Sequence, residues 1–205
     1  MYFIKTPQLL KRLYPSQVWS LPDDKKTIYL TFDDGPTPGI TEWTLDTLAK
    51  HKARATFFLV GDNIVRYPGM VRSITASGHH VGNHTQNHLN GWNTETKDYL
   101  RNTLKCAEVL NTPLFRPPYG RITRAQARIM QKRFKIIMWD VLSGDFDKTI
   151  SKERVLRNVL DHTGNGSIIV FHDSLKAESR MRYALPRVLD YFGDKGFSFN
   201  AIPYS

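Results

Sequence analysis

Apolar and polar positions along the chain switch between two periods. Short β-branched and aromatic runs, closed by glycine, proline or a polar residue, alternate with longer stretches whose apolar side chains recur every three or four positions. The first pattern reads as strand and the second as amphipathic helix. Strands are expected at 27–32, 55–60, 80–83, 114–116, 134–139, 167–171 and 197–199. Helices are expected from Thr37-Pro38 to about residue 51 and over 64–76, 95–110, 123–133 and 152–160, with a last one over 182–192 that contains Pro186. Leu9, Leu10 and Leu13 sit at helical spacing and predict a short helix before the first strand.

Seven strands alternating with helices at one βα repeat each imply a parallel sheet covered on its faces. The fold class is therefore α/β in a single domain, either closed as a (β/α)7 TIM-like barrel or left open as a doubly wound sheet. No Gly-x-Gly-x-x-Gly follows the first strand and no phosphate loop is present, so dinucleotide binding is unsupported. Residues 1–26 read as a lead-in packed on the main body, and 27–205 as the domain proper.

Composition narrows this little. The 205 residues are 40% hydrophobic and 23% charged, as in an ordinary globular protein. No apolar run approaches the ~20 residues that span a bilayer. The N-terminus shows no apolar core of signal-peptide length, so the chain as written is expected to be cytoplasmic. Cys106 is the single cysteine and reads as a buried thiol in a helix. The formal charge of +10 suggests an anionic partner. Between Asn111 and Lys135 there is no acid, and Arg124, Arg128 and Lys132 form a stripe on one helix face. The 121–135 stretch is thus either a solvated face or a contact for an anionic polymer or membrane surface. Nucleic acid is not expected, because no binding motif accompanies the charge.

The titratable residues cluster where strands finish, the rim on which barrel enzymes and open sheets assemble chemistry. Asp33 and Asp34 end the first strand, His84 and His88 follow the third, Arg116 ends the fourth, Asp145 follows the fifth and His172 ends the sixth. Neighbouring side chains on a strand point to opposite sides, so two adjacent carboxylates can take different tasks, one on a metal and one free as a base. A plain surface turn is the alternative reading of Asp-Asp-Gly-Pro. Two imidazoles four apart, on one side of a helical turn, can grip one ion, and a carboxylate completes a two-histidine, one-aspartate site with open positions. Two surface histidines in a polar loop are the alternative there. His79 and His80 precede the rim and read as structural or solvated.

The segments Thr31-Phe32-Asp33-Asp34-Gly35-Pro36, His84-Thr85-x-x-His88, Arg116-Pro117-Pro118-Tyr119-Gly120, Trp139-Asp140 through Asp145-Phe146, and Val170-Phe171-His172 resemble, in order, the five motifs of the NodB-like polysaccharide deacetylases, family four of the carbohydrate esterases. The resemblance spans about residues 27–199. It implies a distorted (β/α) barrel and a metal-dependent hydrolase that removes N-acetyl groups from N-acetylglucosamine-type units of a peptidoglycan or chitin-like carbohydrate. It implies Asp34, His84 and His88 as ligands of a divalent metal, usually zinc, with cobalt, nickel or manganese as the other candidates. Asp33 resembles the general base and Arg116 the cation that holds it. The Tyr119 N–H resembles an oxyanion donor, and His172 the general acid that needs a carboxylate partner. Many family members carry Asp-Trp where this chain has Asp145-Phe146, and Leu142 stands where an acid is frequent. Asp145 is the expected partner of His172, with Asp140 in reserve. Val170 is expected to line the acetyl pocket; the rim aromatics Phe146, Trp92 and Tyr119 either meet a sugar face or serve as plain packing. Two alternatives remain: a related amide or ester hydrolase acting on something other than a polysaccharide, and a catalytically silent carbohydrate-binding barrel, which predicts loss of base or ligands.

Overall fold

The computed structural model describes residues 2–21 and 25–204. The strands are β1 (Thr27–Asp33), β2 (Ala55–Leu59), β3 (His80–Asn83), β4 (Leu114–Phe115), β5 (Lys135–Ile136), β6 (Val141–Leu142), β7 (Ile168–His172) and β8 (Ser198–Phe199). Around them run α1 (Gln8–Leu13), α2 (Ile40–Lys50), α3 (Gly61–Arg66), α4 (Pro68–Ala76), α5 (Thr96–Val109), α6 (Arg124–Met130), α7 (Lys152–Leu160) and α8 (Glu178–Asp194). The sheet order is β5-β4-β3-β2-β1-β7-β6, all parallel, with β8 added on β1. β1 is buried at every position because neighbours flank it on both edges and side chains cover both faces.

Side-chain alternation divides these strands into two faces. On the helix side, Phe32 stacks on Phe57 at 4.9 Å and on Phe171 at 6.1 Å, and the cluster continues into Leu48, Cys106, Val159, Met181 and Val188. Burying each such side chain is worth roughly 1.5–3 kcal/mol. On the inner side, Tyr29, Phe58, Leu114, Ile137 and Ile168 meet in a second cluster. Two residues further along the same strands lie Thr31, Arg116, Trp139 and Val170, and beyond them Asp33 and His172. The polar rim is therefore the top layer of the inner face. Gly82 on β3 is glycine for a packing reason: a Cβ there would run into the Phe58 ring.

The strand expected over 134–139 is shorter, and a further two-residue strand follows it. Beyond Ile136 the chain is still extended, but Val18 donates to Ile136 O and accepts from Met138 N, so the lead-in, not a neighbouring strand, takes that edge. Ser20 bridges to Ser167 and Lys5 to Val141 across the same gap between β5 and β6. Asp140 anchors this seam, binding Lys5 at 2.5 Å, Lys11 at 2.6 Å and the Ser167 hydroxyl at 2.6 Å. Residues 1 and 22–24 of the expected lead-in lie outside the described residues. The helix expected over 64–76 is two helices, because Pro68 has no N–H to continue the first and opens the second. Among the described residues, no helix is long and apolar enough to cross a membrane.

Candidate active site

β1 delivers two carboxylates in two directions. Asp33 continues the inner face, level with His172 on β7 and Phe58 on β2. Asp34 then turns into the left-handed region at φ 79°, and its carbonyl is held by the Asn63 amide at 2.9 Å. Among the described residues, five other than glycine have positive φ, and Asp34, Thr85, His88 and Tyr119 are four of them. Such conformations are costly for side-chain-bearing residues and gather at functional sites.

Asp33 is buried and accepts a hydrogen bond from Arg116 Nη1 at 2.7 Å. Arg116 is fully buried, yet its donors are occupied: Nη1 also reaches the Thr31 hydroxyl at 2.7 Å, Nη2 the Met138 carbonyl at 2.9 Å and Nε the Ile137 carbonyl at 3.2 Å. Its guanidinium lies 4.1 Å from the Phe58 ring centroid, in cation–π contact. Burial pulls the guanidinium down from its ordinary value, and the Asp33 charge opposes this.

His84 directly follows β3. Its Nδ1 lies 2.7 Å from the Arg116 carbonyl, which can only accept, so Nδ1 carries the hydrogen and Nε2 presents a lone pair. Burial lowers the His84 pKa to about 4, so the ring is neutral, as a ligand must be. His88 Nδ1 faces the Tyr119 hydroxyl at 3.2 Å, and its Nε2 lies 3.2 Å from Asp34 Oδ1. Burial pushes the Asp34 carboxyl up, but the His88 contact and the nearby imidazole charges outweigh it and leave the pKa below the carboxylate range. The ligand atoms of Asp34, His84 and His88 all lie within 4.8 Å of one another. One cation with bonds of about 2.0–2.2 Å can draw such a set together, and the donors suit a divalent transition metal. One expectation is corrected here. The histidine pair is not on a helical turn but on a loop, in which Thr85 and His88 are left-handed and Asn83 and Asn102 side chains take backbone N–H groups.

His172 ends β7, beside Asp33. Its Nδ1 pairs with Asp145 Oδ1 at 2.7 Å, and its backbone N–H donates to Asp145 Oδ2 at 2.8 Å. Burial works against a charged ring, but Asp145, fully buried and bonded to it, together with Asp34 and Asp33 pushes the His172 pKa up to about 9. Asp140, the reserve candidate, is spent on the seam. Phe146 stands edge-on to His172 at 5.1 Å and is backed by Tyr2 at 5.2 Å. Val170 is buried on the inner face, two residues before His172. Trp92 is 63% exposed; its indole donates to Ile122 O and Arg121 lies over its ring, and none of these contacts reaches the imidazoles. Tyr119 is 60% exposed against His88. His79 accepts from Ala55 N and His80 faces the Ile202 carbonyl, so both are structural.

Residues not singled out in the sequence support the site. Thr31 shares Arg116 with Asp33, Asn63 fixes the Asp34 turn, and Arg180 on α8 donates to the Asp145 carbonyl at 2.7 Å. Thr31 was detectable, standing two residues before Asp33 and so on the same face.

Comparison with known proteins places this geometry. The polysaccharide deacetylase family model matches residues 20–133. A peptidoglycan-N-acetylglucosamine deacetylase of Bacillus cereus is 35% identical over 193 residues, 90% of this chain and 70% of that protein. A second B. cereus protein of the same name is 32% identical over 200 residues, 93% of this chain and 94% of its own. The crystal structure of the Bc1960 peptidoglycan N-acetylglucosamine deacetylase, bound to 4-naphthalen-1-yl-N-oxidanyl-benzamide, superposes with a TM-score of 0.88 at 32% identity, covering 97% of this chain and 95% of that one. With half of its length matched by the family model and its fold shared from end to end with a solved member, this chain belongs to the polysaccharide deacetylase family.

Proposed function

We propose that this chain is a metal-dependent hydrolase that removes acetyl groups from N-acetylglucosamine-type units of peptidoglycan or a chitin-like carbohydrate. One observation carries the reading: three groups able to hold one cation share a rim with an Arg-held carboxylate and an Asp-held imidazole. Breaking an amide needs a base for water, a donor for the oxyanion and an acid for the leaving amine, and the rim supplies a group for each.

Asp34, His84 and His88 hold the cation. When bound, it lowers the pKa of water at the site toward about 7 and polarises the amide carbonyl. Asp33, fixed by Arg116 and not needed as a ligand, takes the proton from the attacking water. The Tyr119 N–H faces the developing oxyanion. His172 carries a proton that Asp145 helps it retain, and gives it to the departing nitrogen. Val170 borders the acetyl group, and Phe146 and Trp92 offer flat apolar surface to sugar rings. Zinc is the metal we propose, since two imidazoles and a carboxylate suit it; cobalt, nickel and manganese are the substitutes to test.

The silent-barrel alternative predicts loss of base or ligands, whereas the sequence retains Asp33, Asp34, His84, His88 and His172. Acetate release from chitooligosaccharides and peptidoglycan, compared with small N-acetyl amides and esters, tests the substrate class. Release confined to the small compounds contradicts the carbohydrate reading. The exposed cations of residues 121–135 are proposed to contact an anionic polymer or membrane surface. Sedimentation with such a polymer, lost at high salt and in an Arg124, Arg128 and Lys132 triple variant, checks that.

A further inference from the structure

A third carboxyl lies beneath the Asp33-Asp34-Gly35-Pro36 turn, and the reaction above does not use it. Asp173 is fully buried. Its N–H donates to the Asp33 carbonyl at 3.2 Å. Its Oδ2 accepts from the Thr41 hydroxyl at 2.5 Å, and the Thr41 oxygen accepts the Thr37 N–H at 2.8 Å. One residue thus ties the end of β7 to both ends of the loop joining β1 to α2. The other carboxyl oxygen, Oδ1, is buried with no partner among the described residues.

The carboxyl packs against Gly35. The Gly35 φ is not in the left-handed region, so its backbone conformation does not demand glycine. What demands it is Asp173: a Cβ at position 35 would collide first with Asp173 Oδ2 and would stand 2.6 Å from both Cγ and Oδ1, far inside contact distance. The Asp173 carboxyl fills the space that any side chain at position 35 would need. Gly35 in turn follows Asp34, and its carbonyl accepts the Val60 N–H at 2.9 Å, so a shift of Gly35 is transmitted to Asp34.

We propose that Asp173 is a positioning residue for the metal site: Gly35 closes against its carboxyl, and this contact sets where the Asp34 carboxylate meets His84 and His88. The role is one of shape. Burial first, and then the charges of Asp34 and Asp33, push the Asp173 pKa up to about 8, and an uncharged acid is the form that asparagine reproduces. The proposal rests on Asp34 being a cation ligand, so its test carries a separate control for that reading.

The experiment measures zinc affinity by competition with a chromophoric chelator, alongside kcat and KM for acetate release, in Asp173→Ala, Asp173→Asn, Gly35→Ala, the Gly35→Ala/Asp173→Ala double variant and His88→Ala. Loss of a supporting partner typically costs about 10–100-fold in metal affinity, and Asp173→Ala and Gly35→Ala are each expected in that range, with kcat falling more than KM rises. Asp173→Asn keeps the shape and the Thr41 bond and is expected within about threefold of the wild type. In the double variant the methyl introduced at position 35 enters the space vacated by Asp173, so affinity is expected at least about tenfold above the sum of the single effects. An Asp173→Ala protein that binds zinc as the wild type does, additive single effects, or an Asp173→Asn protein as defective as Asp173→Ala each overturn the proposal. Should Asp173→Ala not fold, Asp173→Asn and Gly35→Ala decide it alone: asparagine must preserve affinity and alanine at position 35 must reduce it. Undiminished zinc binding by His88→Ala overturns the ligand reading itself, independently of Asp173.

Discussion

Replacing Asp145 by asparagine isolates the electrostatic half of the acid. His172 is 14% exposed at its side chain, and its pKa is raised from 6.5 to about 9 although burial pulls the other way. That rise corresponds to about 3 kcal/mol favouring the protonated ring. A cation at Asp34 cancels one of the raising charges, so the alkaline limb of kcat/KM for the loaded enzyme is expected between 6.5 and about 9. Asparagine keeps a hydrogen-bond acceptor for His172 but not the charge, and burial then acts with less opposition. The limb is expected to fall to 6.5 or below. At one pH unit above its pKa an acid is only about one-tenth protonated, so at pH 7.5 the variant loses roughly tenfold in rate, and more at higher pH. Acetate release followed from pH 5.5 to 10 measures this, with zinc held saturating. Stability shifts in the same sense. A folded-state pKa raised above the unfolded one stabilises fully below the unfolded value and is lost as pH rises through the folded one. The Tm gap between wild type and Asp145→Asn should therefore be widest below 6.5 and close through about 9. An alkaline limb that does not move refutes His172 as the acid that Asp145 tunes.

Other perturbations separate the remaining parts. Asp33→Asn should bind zinc as the wild type does while losing about 10²–10⁴-fold in turnover, whereas His88→Ala should lose the zinc itself, as a chelator titration will report. Arg116→Met leaves Asp33 buried without its partner, which typically costs about 3–5 kcal/mol, read as a lower midpoint in urea unfolding. Gly82→Ala forces a methyl into the Phe58 ring beneath Arg116 and should cost about 1–3 kcal/mol in the same assay.

Much of the architecture was legible because each strand is a short apolar run closed by a polar or glycine stop, and at β1, β3, β4 and β7 a titratable group (Asp33, His84, Arg116 and His172) stands at or just past that stop. The order of those groups along the chain is the order in which parallel strands deliver them to one rim. What periodicity could not convey is local. Phe134–Trp139 has strand composition throughout, but its outer edge pairs with Val18, more than a hundred residues away, so the ladder ends early. The histidine spacing of four suggested a helical turn. Instead the Asn83 and Asn102 side chains take the Thr85 and Gln86 N–H groups, and Thr85 and His88 are left-handed, which a spacing of four does not convey. Sequence favours Asp145 as the partner of His172 but leaves Asp140 in reserve; Lys5 and Lys11, from the far end of the chain, occupy Asp140. Asp173 escaped attention for a related reason: a polar residue after a strand end looks solvated in sequence, and only the packing of Thr41 and Gly35 around it reveals burial.

The central claim is that Asp34, His84 and His88 share one cation on which acetate release depends. Zinc stoichiometry measured together with activity tests it most directly. Chelated protein should release no acetate from an N-acetylglucosamine oligomer, and activity should return in proportion to added zinc up to one equivalent per chain, in the wild type but not in His84→Ala or His88→Ala. Full acetate release from metal-free protein, or stoichiometric zinc binding that survives loss of both histidines, would contradict it.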